Sequence, residues 1–162
     1  LTGRCEYLQE RSGDSRRLNE LARASSSLPY VSKIVNIDGI PMLDGGIIDS
    51  IPVLRAISAG HETNVVICTR NKGWRDQGKD HKLPRFIYRN YPRLRVVLSH
   101  RLNAYNQQLD LVEDLEASGR IAVIRPESPI VVGRMEKDIQ KLETLYDEGF
   151  RLGERFLVEH GA

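Results

Sequence analysis

The sequence predicts an α/β fold, a short sheet flanked by helices, in a single domain over residues 1–162. Three observations carry that prediction. Asp38-Gly39 separates two apolar segments and signals a two-residue hairpin turn, because both central residues must take positive φ and Asp and Gly tolerate it. Val65-Val66-Ile67-Cys68 and Ile121-Ala122-Val123-Ile124 are unbroken apolar runs, the pattern of strands buried on both faces. Two long stretches, about 94–118 and about 135–158, repeat apolar residues at helical spacing.

In chain order, residues 1–13 read as a strand end and polar loop with Tyr7 and Leu8 as anchors. Asp14 or Ser15 caps a helix with Leu18, Leu21 and Ala22 inward, which ends in Ser25-Ser26-Ser27 before Pro29. The hairpin leads to Asp44 at a strand end, and the doubled glycine after it opens backbone conformations closed to other residues. Asp49 or Ser50 caps a helix over about 51–59, with Pro52 in its first turn, Val53, Leu54 and Ile57 inward, and Gly60 at its end. The strand at 65–68 then completes a strand–helix–strand crossover, which puts Asp44 at a strand's carboxyl end, where functional residues cluster in α/β folds.

The helix over 94–118 has Val97, Leu98, Leu102, Leu109, Val112 and Leu115 on one face and stops at Gly119. Arg125-Pro126 stops the next strand, and Pro129 and Gly133 keep the following segment irregular. The last helix is expected to bury Ile139, Leu142, Leu145 or Tyr146, Phe150 and Phe156 as core, with Glu136, Asp138, Glu143, Asp147 and Glu148 on a solvated outer face.

Composition narrows the function classes. Forty per cent hydrophobic residues with both charge signs describe a globular chain, and a net charge of +2 selects no partner. Cys5 and Cys68 are too few for a disulfide framework, and Cys68 lies in an apolar run as a core residue. His61, His81, His100 and His160 lack mutual metal-ligand spacing, so neither metal nor cofactor is expected. His61 reads as a surface loop residue. No apolar run approaches the ~20 residues of a membrane span, and the location expected is cytoplasmic, with peripheral membrane contact as an addition. Residues 70–101 hold ten Lys or Arg against Asp76 and Asp80, interleaved with Trp74, Phe86, Tyr88 and Tyr91. That patch reads either as a solvated face or as a non-catalytic module for anionic surfaces, membrane or nucleic acid; no nucleic-acid motif accompanies it, so a lipid surface is favoured.

Asp44 has two readings. Asp before Gly is common in turns, where its side chain bonds a nearby backbone N–H. The other comes from a resemblance. Asp44-Gly45-Gly46 with Pro52 eight residues on resembles the aspartate block of the patatin-like phospholipases, and Ala24-Ser25-Ser26-Ser27-Leu28-Pro29 resembles their Ala-Ser-x-x-x-Pro segment. Asn64–Gly73, Ile124-Arg125-Pro126 and Val132–Glu136 are similar to a bacterial branch of that family, so that the resemblance spans nearly the whole chain. It implies the C-terminal half of a three-layer α/β/α hydrolase that cleaves lipid or other acyl esters with a Ser–Asp dyad. Asp44 is then the catalytic base and Gly45 and Gly46 form the active-site turn.

The nucleophile is expected elsewhere. None of the eleven serines lies in a Gly-x-Ser-x-Gly elbow, and three adjacent hydroxyls at 25–27 more often bond backbone than attack a substrate. The chain alone is therefore expected to be inactive. Missing strands would leave an open edge or apolar face, compatible with a homodimer.

Overall fold

The computed structural model describes residues 2–78, 87–133 and 136–161. Two compact units emerge, each discontinuous in sequence: residues 1–52 with 76–108, and 53–75 with 109–162.

In the first unit, Asp14 caps helix α1 (Ser15–Ser25) by accepting from the backbone N–H groups of Arg16 and Arg17 at 2.9 and 3.2 Å. Strands β1 (Val35–Ile37) and β2 (Ile40–Met42) pair antiparallel, Val35 opposite Met42 and Ile37 opposite Ile40. The turn between them is the one the sequence predicts: φ is 51° at Asp38 and 79° at Gly39, the double-positive geometry whose twist matches the flanking strands. Ala24, Val35 and Ile37 form a small core with Leu21 and Met42 against it. The inward face of α1 is thus Leu21 and Ala24, whereas Leu18 and Ala22, expected inside, are exposed. The hairpin covers only a narrow stripe of a helix this short.

After β2 come a 3₁₀ turn (Gly45–Ile47) and, later in the chain, the first part of the long helix α3 (Pro92–Ala117), which belongs to this unit as far as Gln108. Pro41 sits at the centre of β2 opposite Asn36 and has no N–H to offer a further strand. Among the described residues β2 pairs with β1 alone, so the expected crossover joining it to the strand at 65–67 in one sheet is not formed.

The second unit holds helix α2 (Val53–Ser58), strands β3 (Val65–Ile67) and β4 (Ala122–Ile124), the rest of α3 and helix α4 (Ile139–His160). Strands β3 and β4 pair parallel, Val65 opposite Ala122 and Ile67 opposite Ile124, with α3 in the connection. Val53, Cys68, Leu109, Val112 and Ile121 are its buried apolar residues. Gly60 and Gly119 follow α2 and α3 with positive φ, as helix-ending glycines do.

Three expectations fail here for one reason. The run at 65–68 was expected to be buried on both faces, yet Val65 and Ile67 are 47 % and 75 % exposed. Alternate residues of a strand share a face, and among the described residues nothing covers that one. Leu54, expected inside, faces solvent. Helix α4 buries no residue fully: Leu145, Leu152 and Phe156 are half-buried, but Ile139, Leu142, Tyr146 and Phe150 are exposed. Helical spacing reveals an apolar stripe; it does not say that a neighbour covers it.

Charged side chains also join the elements of the second unit. Asp110, Glu113 and Glu116 make an acidic row on α3. Glu113 accepts from the Gly73 N–H at 2.9 Å and from both terminal nitrogens of Arg75 at 3.0 and 3.1 Å, and lies 3.8 Å from Arg125. Arg125 also pairs with Glu116, whose second partner is Lys72 at 3.5 Å. The hydrogen bond from Arg75, above all, holds the Glu113 carboxyl at about 2, well below the usual carboxylate range. Unfolded, the same group binds its proton near 4.5, so its stabilisation is complete above that value and is lost as pH falls towards 2. Glu113→Gln should cost about 1–3 kcal/mol at neutral pH and flatten the fall in the urea midpoint between about pH 5 and pH 2 relative to the parent chain. Identical slopes for the two proteins would show the row to be energetically idle.

Candidate active site

Asp44 lies two residues past the end of β2, and its backbone N–H donates to the Ser27 carbonyl at 2.9 Å. That bond brings the two sequence blocks, Ala24–Pro29 and Asp44–Pro52, side by side. Ser27 is buried, and its hydroxyl donates to the Arg23 carbonyl at 2.6 Å; the Ser26 hydroxyl donates to that of Ala22 at 2.9 Å. Both hydroxyls are thus spent on carbonyls of the last turn of α1, as hydroxyls at a helix end commonly are.

The Asp44 carboxylate is half-buried. Its Oδ1 accepts the Gly46 N–H at 2.7 Å and so caps the 3₁₀ turn, the local role an Asp before glycines is expected to take. Its Oδ2 has no hydrogen-bond or ion-pair partner among the described residues. A Cβ added at Gly46 would stand 3.1 Å from Asp44 Oδ1, so a side chain there would crowd the carboxylate. One oxygen fixed and one open is an arrangement that can accept a proton without collapsing the turn.

Around that turn runs a network that sequence reasoning missed. The Ser50 hydroxyl donates to the Gly46 carbonyl at 2.7 Å, and the Arg101 Nε approaches the same carbonyl at 3.4 Å. Gln108, on α3, uses both ends of its amide: Oε1 accepts the N–H groups of Ser50 and Ile51 at 2.9 and 3.2 Å, while Nε2 donates to Asp49 Oδ1 at 2.8 Å. The other oxygen of Asp49 accepts from the Tyr7 hydroxyl. Asp49 and Ser50 were expected to cap α2; their side chains are spent instead on Tyr7, Gln108 and Gly46, and the free N–H groups before α2 are met by an amide from far along the chain. Nothing local to Gln108 could have shown this, since its partners lie 57 to 59 positions away.

The remaining candidates stay apart from this arrangement. His61 is exposed in the loop after α2. Of the basic segment, Lys79, Asp80, His81, Lys82, Arg85 and Phe86 lie outside the described residues, Arg75 and Lys72 are committed to the acidic row, and the Arg70 guanidinium sits 4.7 Å over the Trp74 ring. Arg134 and Met135 of the similarity noted above also lie outside them. No group of three or more potential metal ligands occurs among the described residues, and no described helix is long and apolar enough to cross a membrane.

Comparison with known families divides the chain. Residues 2–57 match the model of the family described as "Patatin-like phospholipase". This segment holds Tyr7, the serine block, Asp44 and Asp49. The match ends well short of the near-complete coverage expected from the sequence. Residues 91–162, which contain Gln108, match instead a "Domain of unknown function (DUF6363)". No curated protein and no solved structure matches the chain significantly.

The hydrogen bond to Asp49 pushes the Tyr7 phenol well above the ordinary tyrosine value of 10, with burial adding to it. Asp49→Asn removes the carboxylate and keeps the shape, so the phenol should titrate about a unit or more closer to 10. Ultraviolet difference titration against Tyr7→Phe reads this directly; an unmoved phenol would show that the carboxylate does not govern it.

Proposed function

We propose that this chain supplies the aspartate of a patatin-like acyl hydrolase, with Asp44 as the base of a Ser–Asp dyad and Gly45 and Gly46 as its turn. The observation that supports this most is the half-buried Asp44 carboxylate, one oxygen tied to the Gly46 N–H and the other open, inside the stretch that matches patatin-like phospholipases. The serine comes from a Gly-x-Ser-x-Gly segment that these 162 residues do not contain. Asp44 takes the hydroxyl proton as that oxygen attacks the ester carbonyl, and the alcohol leaves with a proton as the acyl-enzyme forms. Water then attacks the acyl-enzyme by the same route and frees the acid and the serine.

The substrate is a lipid or other acyl ester, and the exposed Arg89, Arg93 and Arg101 suit approach to an anionic membrane surface. The reading of residues 70–101 as a non-catalytic binding module gains no support of its own: Arg75 and Lys72 are paired with acids of α3, and Lys79, Lys82 and Arg85 lie outside the described residues.

Asp44→Asn retains an oxygen for the Gly46 N–H and so should fold normally. In the protein that carries the serine it should lower kcat for ester hydrolysis by about 10²–10⁴-fold; turnover at the parent rate would remove Asp44 from the reaction. The 162-residue chain alone should hydrolyse no ester and take up no serine-reactive phosphonate. Stoichiometric labelling would place the nucleophile among its eleven serines instead.

A further inference from the structure

We infer that Gln108 is a positioning residue for Asp44, acting through the turn that follows it; this rests on the dyad reading above. Three hydrogen bonds from one amide fix residues 49, 50 and 51: two backbone N–H groups on Oε1 and the Asp49 carboxylate on Nε2. Ser50, pinned in this way, returns its hydroxyl to the Gly46 carbonyl, and Gly46 gives its N–H to the Asp44 carboxylate. From α3 to the proposed base there is thus an unbroken series of bonded groups. At the other end Asp49 is held by Tyr7, so that its carboxylate cannot swing away and release the amide.

The polarity of the series is what makes it specific. An amide accepts at one end and donates at the other, and here both are required: an acceptor for two N–H groups, a donor for a carboxylate. Glutamate keeps the acceptor but sets a second carboxylate against Asp49 where a hydrogen bond had been. Asparagine is a methylene shorter and cannot span both partners. Among the described residues no hydrogen bond joins Gln108 to Asp44 directly, so its effect is on where the Asp44 carboxylate stands. Misplacing a base by about 1 Å can cost on the order of a hundredfold in rate.

The polarity also supplies the test. In the protein that carries the serine, Gln108→Ala and Gln108→Glu should each lower kcat on a short-chain nitrophenyl ester about ten- to a hundredfold, with KM within about twofold. Asp49→Asn supplies the background for a swap, because its amide can accept from Gln108 or donate to a glutamate there. Combined with Gln108→Glu it should restore most of the lost kcat, since the asparagine now donates to a glutamate that accepts the two N–H groups. A merely structural loss would not be recovered by reversing the direction of one bond. Parent kcat in both single Gln108 variants, or no recovery in the swapped pair, overturns the inference; where Gln108→Ala does not fold, the glutamate variant and the swap decide alone. Asp44→Asn run alongside separates the two ideas: if it keeps parent activity the dyad reading fails, whereas loss there with unaffected Gln108 variants overturns only the positioning role.

Discussion

The hydrogen bond from the Asp44 N–H to the Ser27 carbonyl is the constraint on which the site depends. It fixes the exit of β2 against the end of α1, two segments that meet because the hairpin returns the chain onto Ala24 and Leu21. With the backbone of Asp44 held from one side, its side chain can turn back to the Gly46 N–H, and the tight turn becomes the favoured path for the next three residues. The small core and the polar turn are therefore one arrangement. Loosening either would shift the carboxylate.

Stability is distributed unevenly between the two units. The first has a hairpin that packs on a helix; the second has a two-stranded sheet with an uncovered face and leans on charge. Arg125, with a side chain only 12 % exposed, shares Glu113 and Glu116 with Arg75 and Lys72 in a partly shielded setting. Isolated surface pairs contribute little, about 0–1 kcal/mol, but shared carboxylates with backbone hydrogen bonds are worth more than their pairs counted singly. The loop at 72–75 and the end of β4 are fastened to α3 by that row.

Features set by neighbours in sequence were legible. Asp38-Gly39 demanded its turn, Asp14 its cap, and Gly60 and Gly119 their helix ends, because each depends on φ or on a donor within three residues. Asp44 was legible as a residue, and the cap it makes is the plainer of its two sequence readings. What could not be read was coverage. An apolar run at 65–67 or a stripe on α4 states what could be buried, and the presence of a partner is decided by segments far away. Gln108 was invisible on the same grounds: a glutamine in a helix has no pattern to mark it, and its meaning lies in the N–H groups of Ser50 and Ile51.

Pro41 has a consequence beyond closing the β1–β2 ladder. A lone hairpin exposes an outer strand that could recruit strands of other molecules, and native proteins guard such borders with imino acids and charges. Here the guard stands at the centre of a three-residue strand, so no run of consecutive donors exists for a foreign chain to copy. The outer border of the strand that leads into Asp44 is thereby a poor template for a foreign chain.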